Sequence, residues 1–271
     1  MAEPSFKDLE HAGWSRRAGA YDDWFSHITS QANGPLLDML GERLEGARVL
    51  DVCTGTGNLA AAATKRGAMA EGLDFSREMI DRARSNHTAT TFREGDAEQL
   101  PYNDQSFDHV VCAFGHLHLP NADQAIAEAF RVLKPGGQYV FAVWRAHPDG
   151  YFQGVMDAIG RYGKADVGLP PSPPFFRFGD PQEAERVLQG AGFADVQTRT
   201  IELTWEPKRI EDLVEWIYKC GVRTTMILER QTAQARESIH AAIIQSGEAR
   251  RRDGTLRIPF PASITSARRP G

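Results

Sequence analysis

The sequence predicts an α/β protein: a doubly wound sheet, mostly parallel with an antiparallel final strand, bearing a helical N-terminal cap and an inserted helical lid. Three observations lead there. Short apolar runs alternate with amphipathic stretches five times between Arg48 and Trp144, the rhythm of stacked βαβ units with helices on both faces. A glycine loop, Gly55-Thr56-Gly57, joins the first of those runs to the first helix. After Arg145 the rhythm breaks, yet strand candidates flank the late helical stretch on each side.

Residues 1–45 read as the cap. Phe6, Leu9, Trp14, Ala18, Tyr21, Trp24 and Phe25 recur at helical spacing, and Pro35 suits the first turn of a helix over 36–44. Residues 46–145 carry the core, with strands expected over 49–53, 69–74, 90–93, 109–114 and 139–144. Helices between them are expected over 58–65, 77–84 (capped by Ser76) and 122–133, the last stopped by Lys134-Pro135-Gly136-Gly137. Residues 146–180 form a lid segment containing the loop Leu169-Pro170-Pro171-Ser172-Pro173-Pro174. A helix over 181–189 and a strand over 196–205 return to the core within 181–206. Residues 207–252 insert further helices, and a final strand over 255–264 lies within 253–271.

Composition narrows the class. Lys plus Arg minus Asp plus Glu is 31 − 36 = −5, the wrong sign for a polyanion partner. With 41% apolar and 25% charged residues the chain is an ordinary globular one. Its three cysteines, Cys53, Cys112 and Cys220, are too few and too scattered for a disulfide framework or a zinc site. The apolar runs are far shorter than the roughly 20 residues of a membrane span, and the N-terminus lacks a signal-peptide core. The expectation is a cytoplasmic protein that binds a small molecule, with no metal, no nucleic acid and no membrane span.

Gly55-Thr56-Gly57-Asn58-Leu59-Ala60 matches the dinucleotide fingerprint of Rossmann-like folds, and Asp74 stands 19 residues after Gly55, where a ribose-binding acid belongs. Alone this fits any adenosine-containing cofactor, NAD included. Asp51, ending the first strand, would repel a diphosphate and attract an ammonium group. An amino-acid-bearing nucleoside such as S-adenosylmethionine (SAM) fits better. A tight turn without a ligand explains the glycines less well; a helix N-terminal acid is the alternative for Asp51.

Four motifs in order resemble those of the class I SAM-dependent methyltransferases, in the branch of the ubiquinone/menaquinone-biosynthesis C-methyltransferases and their small-molecule relatives. They are Val49-Leu50-Asp51-Val52-Cys53-Thr54-Gly55-Thr56-Gly57, with Cys53 at the family's usual first glycine; Gly72-Leu73-Asp74-Phe75-Ser76; Gly95-Asp96-Ala97-Glu98-Gln99-Leu100-Pro101 with Ser106-Phe107-Asp108; and Arg131-Val132-Leu133-Lys134-Pro135-Gly136-Gly137. The resemblance covers 21–144 well and 177–196 more loosely. It implies transfer of the SAM methyl group to an O, N or C atom of a small, partly apolar or aromatic acceptor, leaving S-adenosylhomocysteine.

By that resemblance Asp74 and its neighbours Phe75 and Ser76 hold the ribose, and Met79 packs beside the adenine. Asp96, with Gly95, Ala97 and Glu98, receives the adenine amino group. Asp51, Cys53, Thr54, Gly55, Gly57 and Asn58 hold the methionine moiety. Ala113 and Phe114 lie beside the methyl group, and Tyr21 closes over the cofactor. His118 and His116 follow the fourth strand, where open α/β sheets bind ligands. They are the base candidates, His118 ahead of His116. The quinone-pathway relatives carry an arginine–asparagine pair there instead.

Tyr151, Phe152, Phe175, Phe176, Phe178, Trp205, Trp216 and Tyr218 either wall an acceptor pocket or bury the inserted helices. Arg250-Arg251-Arg252 reads as a solvated turn. A homodimer is compatible with these features. The alternatives to methyl transfer are a SAM-binding partner or non-methylating enzyme, and an NAD-type oxidoreductase.

Overall fold

The computed structural model describes residues 3–41 and 44–271. Ser5 opens α1 (Phe6–Trp24) with a reciprocal cap, its hydroxyl accepting from the Asp8 N–H while the Asp8 carboxylate accepts from the Ser5 N–H. Two short helices follow, α2 (Ser26–Thr29) and α3 (Asn33–Asp38). The helix expected over 36–44 therefore starts and stops earlier, and Glu42 and Arg43 of that expectation lie outside the described residues.

The core alternates as expected: β1 (Arg48–Val52), α4 (Asn58–Lys65), β2 (Met69–Asp74), α5 (Arg77–Asn86), β3 (Thr91–Glu94), β4 (Phe107–Ala113), α6 (Ala122–Val132) and β5 (Leu133–Trp144). β5 begins six residues before the expected 139. Leu133 already pairs with Phe107, and the Lys134–Gly137 turn becomes a bulge before Gln138 pairs with His109. Gly136 sits there at φ +79°.

The segment expected only as a lid contains a helix, α7 (Tyr151–Tyr162), burying Tyr151, Val155, Ala158 and Ile159. Its i, i+4, i+7, i+8 spacing was readable in the sequence. Then come α8 (Pro181–Gly190), β6 (Ala194–Trp205), α9 (Asp212–Cys220), α10 (Arg223–Glu229) and α11 (Ala233–Glu248). Arg251 and Arg252 form β7, which pairs with β8 (Thr255–Leu256) in a small hairpin, and Arg251 is held by Glu248. The last strand, β9 (Ile258–Arg268), runs four residues beyond expectation.

Sheet order is β3-β2-β1-β4-β5-β9-β6. Strands β1 to β5 pair in parallel, and β9 runs antiparallel between β5 and β6. Successive β1 residues face opposite layers: Val49 joins the layer of α3, α7 and α9, whereas Leu50 joins that of α6 and α8. Both are fully buried, which is why the strand reads as a continuous apolar run. The chain leaves β1 toward β2 on one side and returns to β4 on the other. That reversal opens a crevice at the carboxyl ends of β1 and β4. No helix among the described residues is long and apolar enough to cross a membrane.

Candidate active site

Left-handed backbone concentrates at this crevice. Cys53, just after β1, sits at φ +58°, Gly55 follows at +55° and Gly57 at +88°, and Phe114, just after β4, sits at +59°. A side chain on Gly57 would meet the Phe92 ring at 2.6 Å, so only glycine fits that turn. Cys53 and Phe114 carry side chains in a conformation that costs free energy, and such strain gathers where a site requires it.

Two buried carboxylates organise the loop. Asp74 accepts from the Gly55 N–H at 2.9 Å through one oxygen and from the Ser76 N–H at 3.0 Å through the other. Burial nevertheless pushes its carboxyl up to about 6. Asp51 accepts from the Thr54 hydroxyl at 2.6 Å and the Ala60 N–H at 3.0 Å, both on Oδ2. Its Oδ1 is buried with no partner among the described residues, and burial pushes this carboxyl to about 8. Asp51 thus also serves as the acid at the α4 N-terminus.

The crevice holds two cavities. The inner cleft is lined by Tyr21, Cys53, Gly55, Asp74, Phe75 and Met79 on one side, and by Gly95, Asp96, Ala97, Ala113, Phe114 and His118 on the other. Six residues expected here do not line it: Asp51, Thr54, Gly57, Asn58, Ser76 and Glu98. Their polar groups are used in building its walls. Ser76 caps α5 by accepting from the Met79 N–H, Asn58 bonds the Thr56 hydroxyl, and Glu98 pairs with Lys7 and accepts from the Asn121 N–H. Lys7 also pairs with Asp96.

The outer cavity, about 430 Å³, lies between α1, α7, α9, α10 and the proline loop. Tyr151, Phe152, Phe175 and Trp216 line it, whereas Phe178 and Trp205 are buried in the core. Tyr218 instead meets His240 at 2.9 Å. Trp14, Phe25, His118 and Trp144 line both cavities. They form the partition, with Trp144 stacked on Phe114 at 3.9 Å between ring centroids.

The turn after β4 separates the two histidines. His116 is 1% exposed, bonds the Tyr139 hydroxyl at 2.8 Å and packs on Phe141 and Phe178, lining neither cavity. His118 stands in the partition, its Nδ1 2.8 Å from Glu10 Oε2.

Comparison with known proteins agrees with this geometry. Residues 49–137 match the family described as a methyltransferase domain. Demethylmenaquinone methyltransferase of Deinococcus radiodurans is 37% identical over 176 residues, 58% of this chain and 71% of that protein. The chain belongs to the class I SAM-dependent methyltransferases.

Among solved structures, phosphoethanolamine N-methyltransferase 2 of Haemonchus contortus superposes with a TM-score of 0.59 at 19% identity, over 99% of this chain and 61% of that one. The cyclase SpnF gives 0.52 at 21%, over 89% and 82%. These two share the fold. Within this methyltransferase the cleft also contains Trp14, Phe25, Thr29, Leu73, Gly115, Leu119 and Trp144, and Glu10 lies beside His118, none of them expected at the site from the sequence. Trp14 and Phe25 were visible only as helical periodicity, and nothing local marks Glu10.

Proposed function

We propose that the inner cleft holds SAM and the outer cavity holds a small aromatic or apolar methyl acceptor, with transfer across the partition. The shared wall of Trp14, Phe25, His118 and Trp144 carries this reading, because it sets two ligands edge to edge. The cleft fits a cationic nucleoside. Among the described residues its lining includes the carboxylates of Asp74 and Asp96 and no lysine or arginine, which disfavours a diphosphate. The unpartnered Asp51 oxygen behind the glycine loop adds to that field only when its carboxyl, raised to about 8, ionises, which a bound cation favours. Asp74 would hold the ribose, Asp96 and Ala97 the adenine edge, Met79 and Phe75 its faces, and Cys53, Gly55 and Phe114 the methionine end.

When bound, the cofactor supplies a methyl group whose bond to sulfur breaks with its electron pair left on sulfur. The protein's task is alignment and exclusion of water, for which a walled, aromatic cavity is suited. The outer cavity falls within the roughly 300–1,000 Å³ of small-molecule sites, but the inner cleft, about 70 Å³, is narrower than that range. Entry of a nucleoside would need this cleft to widen, and α1, which contributes Trp14 and Tyr21 to its lining, is the element whose lifting would open it. In this reading 1–45, 146–180 and 207–252 act as cover around the core segments 46–145, 181–206 and 253–271. The acidic balance and free thiols accord with a small-molecule enzyme of the cytoplasm.

Calorimetry with SAM, S-adenosylhomocysteine and NAD, followed by mass spectrometry of a metabolite extract incubated with methyl-labelled SAM, tests the reading. Binding of both sulfur nucleosides and one labelled product are expected. Binding of NAD alone would overturn it.

A further inference from the structure

Glu10 lies on α1 and His118 after β4, 108 residues apart, yet their side chains meet inside the partition. Glu10 is 2% exposed. Its Oε2 accepts from the Trp14 indole N–H at 3.1 Å and faces His118 Nδ1 at 2.8 Å. Trp14 also packs edge-on against the imidazole, 4.8 Å between centroids. A carboxylate against Nδ1 selects the tautomer with its proton on that nitrogen. Nε2 then carries a lone pair, and it has no hydrogen-bond partner among the described residues. His118 borders both cavities, so that lone pair stands where the two ligands would meet.

From this geometry, and resting on the methyltransferase reading above, we infer that Glu10 is a positioning residue that makes His118 the general base for an acceptor with a phenol-type hydroxyl. The O–H bond breaks and its proton passes to Nε2. The electron pair left on oxygen forms the bond to the methyl carbon as the carbon–sulfur bond breaks toward sulfur. The imidazolium so formed is held by Glu10 and passes its proton to solvent, to which the side chain is 24% exposed. An amine acceptor needs no such base. The aromatic wall of the outer cavity, with Phe25, Phe152, Phe175 and Trp216, matches a planar ring.

The other charges facing the pair act in both directions. Asp74, across the cleft, favours the imidazolium, while Arg17 of α1 and Arg223 of α10 act on Glu10 from behind. Arg223 lines the outer cavity with Glu10 and makes no ion pair among the described residues.

The test uses para-nitrophenol as probe, bound to the full-length protein together with S-adenosylhomocysteine at about pH 6. Its visible absorption reports the ratio of phenolate to phenol. A carboxylate beside a titrating group shifts it by about one unit or more, so Glu10→Gln should lower the bound phenolate ratio by about tenfold or more. Nitrogen NMR of the unmodified protein should show His118 protonated at Nδ1 and bare at Nε2. That measurement needs no variant to fold.

An Nε2–H tautomer in the wild type, or an unchanged phenolate ratio in folded Glu10→Gln, overturns the dyad while leaving the cofactor site intact. Calorimetry on the same samples separates the two readings. If the wild type fails to bind S-adenosylhomocysteine, the methyltransferase reading of the cleft falls, and this inference with it.

Discussion

Replacing Asp51 with asparagine is expected to stabilise the ligand-free protein at neutral pH. The carboxyl is 1% exposed and burial raises it from 3.8 to about 8. At pH 7 the folded protein therefore keeps a proton that the unfolded chain has released. Holding it costs about 1.4 kcal/mol per pH unit above the ordinary value, about 4 kcal/mol at pH 7. The sign follows from a raised folded value: this group's contribution to stability is fully present below pH 3.8 and is lost as pH rises through about 8.

Asparagine needs no proton, and its carbonyl can keep both bonds now made by Oδ2, from Thr54 and Ala60. Its amide nitrogen replaces the unpartnered Oδ1, which costs about 1–3 kcal/mol if it finds no acceptor. The balance is a gain of about 1–3 kcal/mol at pH 7. At about 2–4 °C per kcal/mol for a chain of this size, the midpoint should rise by about 2–12 °C. The gain should shrink steadily as pH falls, vanish between about pH 4.5 and 6, and become a loss of about 1–3 kcal/mol near pH 4. Melting curves of the two proteins from pH 4 to 8 check this. Parallel pH dependences would show that the Asp51 carboxyl is not held protonated, and would refute the argument.

Three further outcomes are expected. Asp74→Ala should weaken S-adenosylhomocysteine binding about tenfold or more, since each charge-assisted bond is worth about 1.5–3 kcal/mol. It should also lower the melting midpoint, because the Gly55 and Ser76 N–H groups lose their acceptor; calorimetry and scanning fluorimetry read the two effects. Affinity for SAM should rise between pH 5 and 8, because a cation favours the ionised forms of Asp74, raised to about 6, and Asp51, raised to about 8. Calorimetry in buffers of different ionisation enthalpy should detect the released proton. Hydrogen exchange should show α1 and the inserted helices gaining protection with S-adenosylhomocysteine bound, and identical protection without it would remove the need for α1 to lift.

The parallel strands, the helices between them and the glycine turn were legible in the sequence because their causes are local. Val49, Leu50 and Val52 form an apolar run, Ser76 is a cap three residues ahead of the N–H it accepts from, and Gly57 occupies a left-handed turn. Asp74 could be placed by its distance from the glycines. Other features depend on residues far apart in the chain. That Asp51 is walled off behind the loop while Asp74 lines the cleft depends on how the glycine loop folds over the strand ends, not on hydrogen bonding, since both Asp74 oxygens are bonded and only one of Asp51's is. That His116 is buried on Tyr139 while His118 reaches the partition depends on one short turn, since residues two apart point differently. Glu10 had no local signature at all. An ionisable residue on an amphipathic helix reads as solvent-facing until the helix is laid across the sheet, and only that packing removes Glu10 from water and sets it against His118 and Trp14.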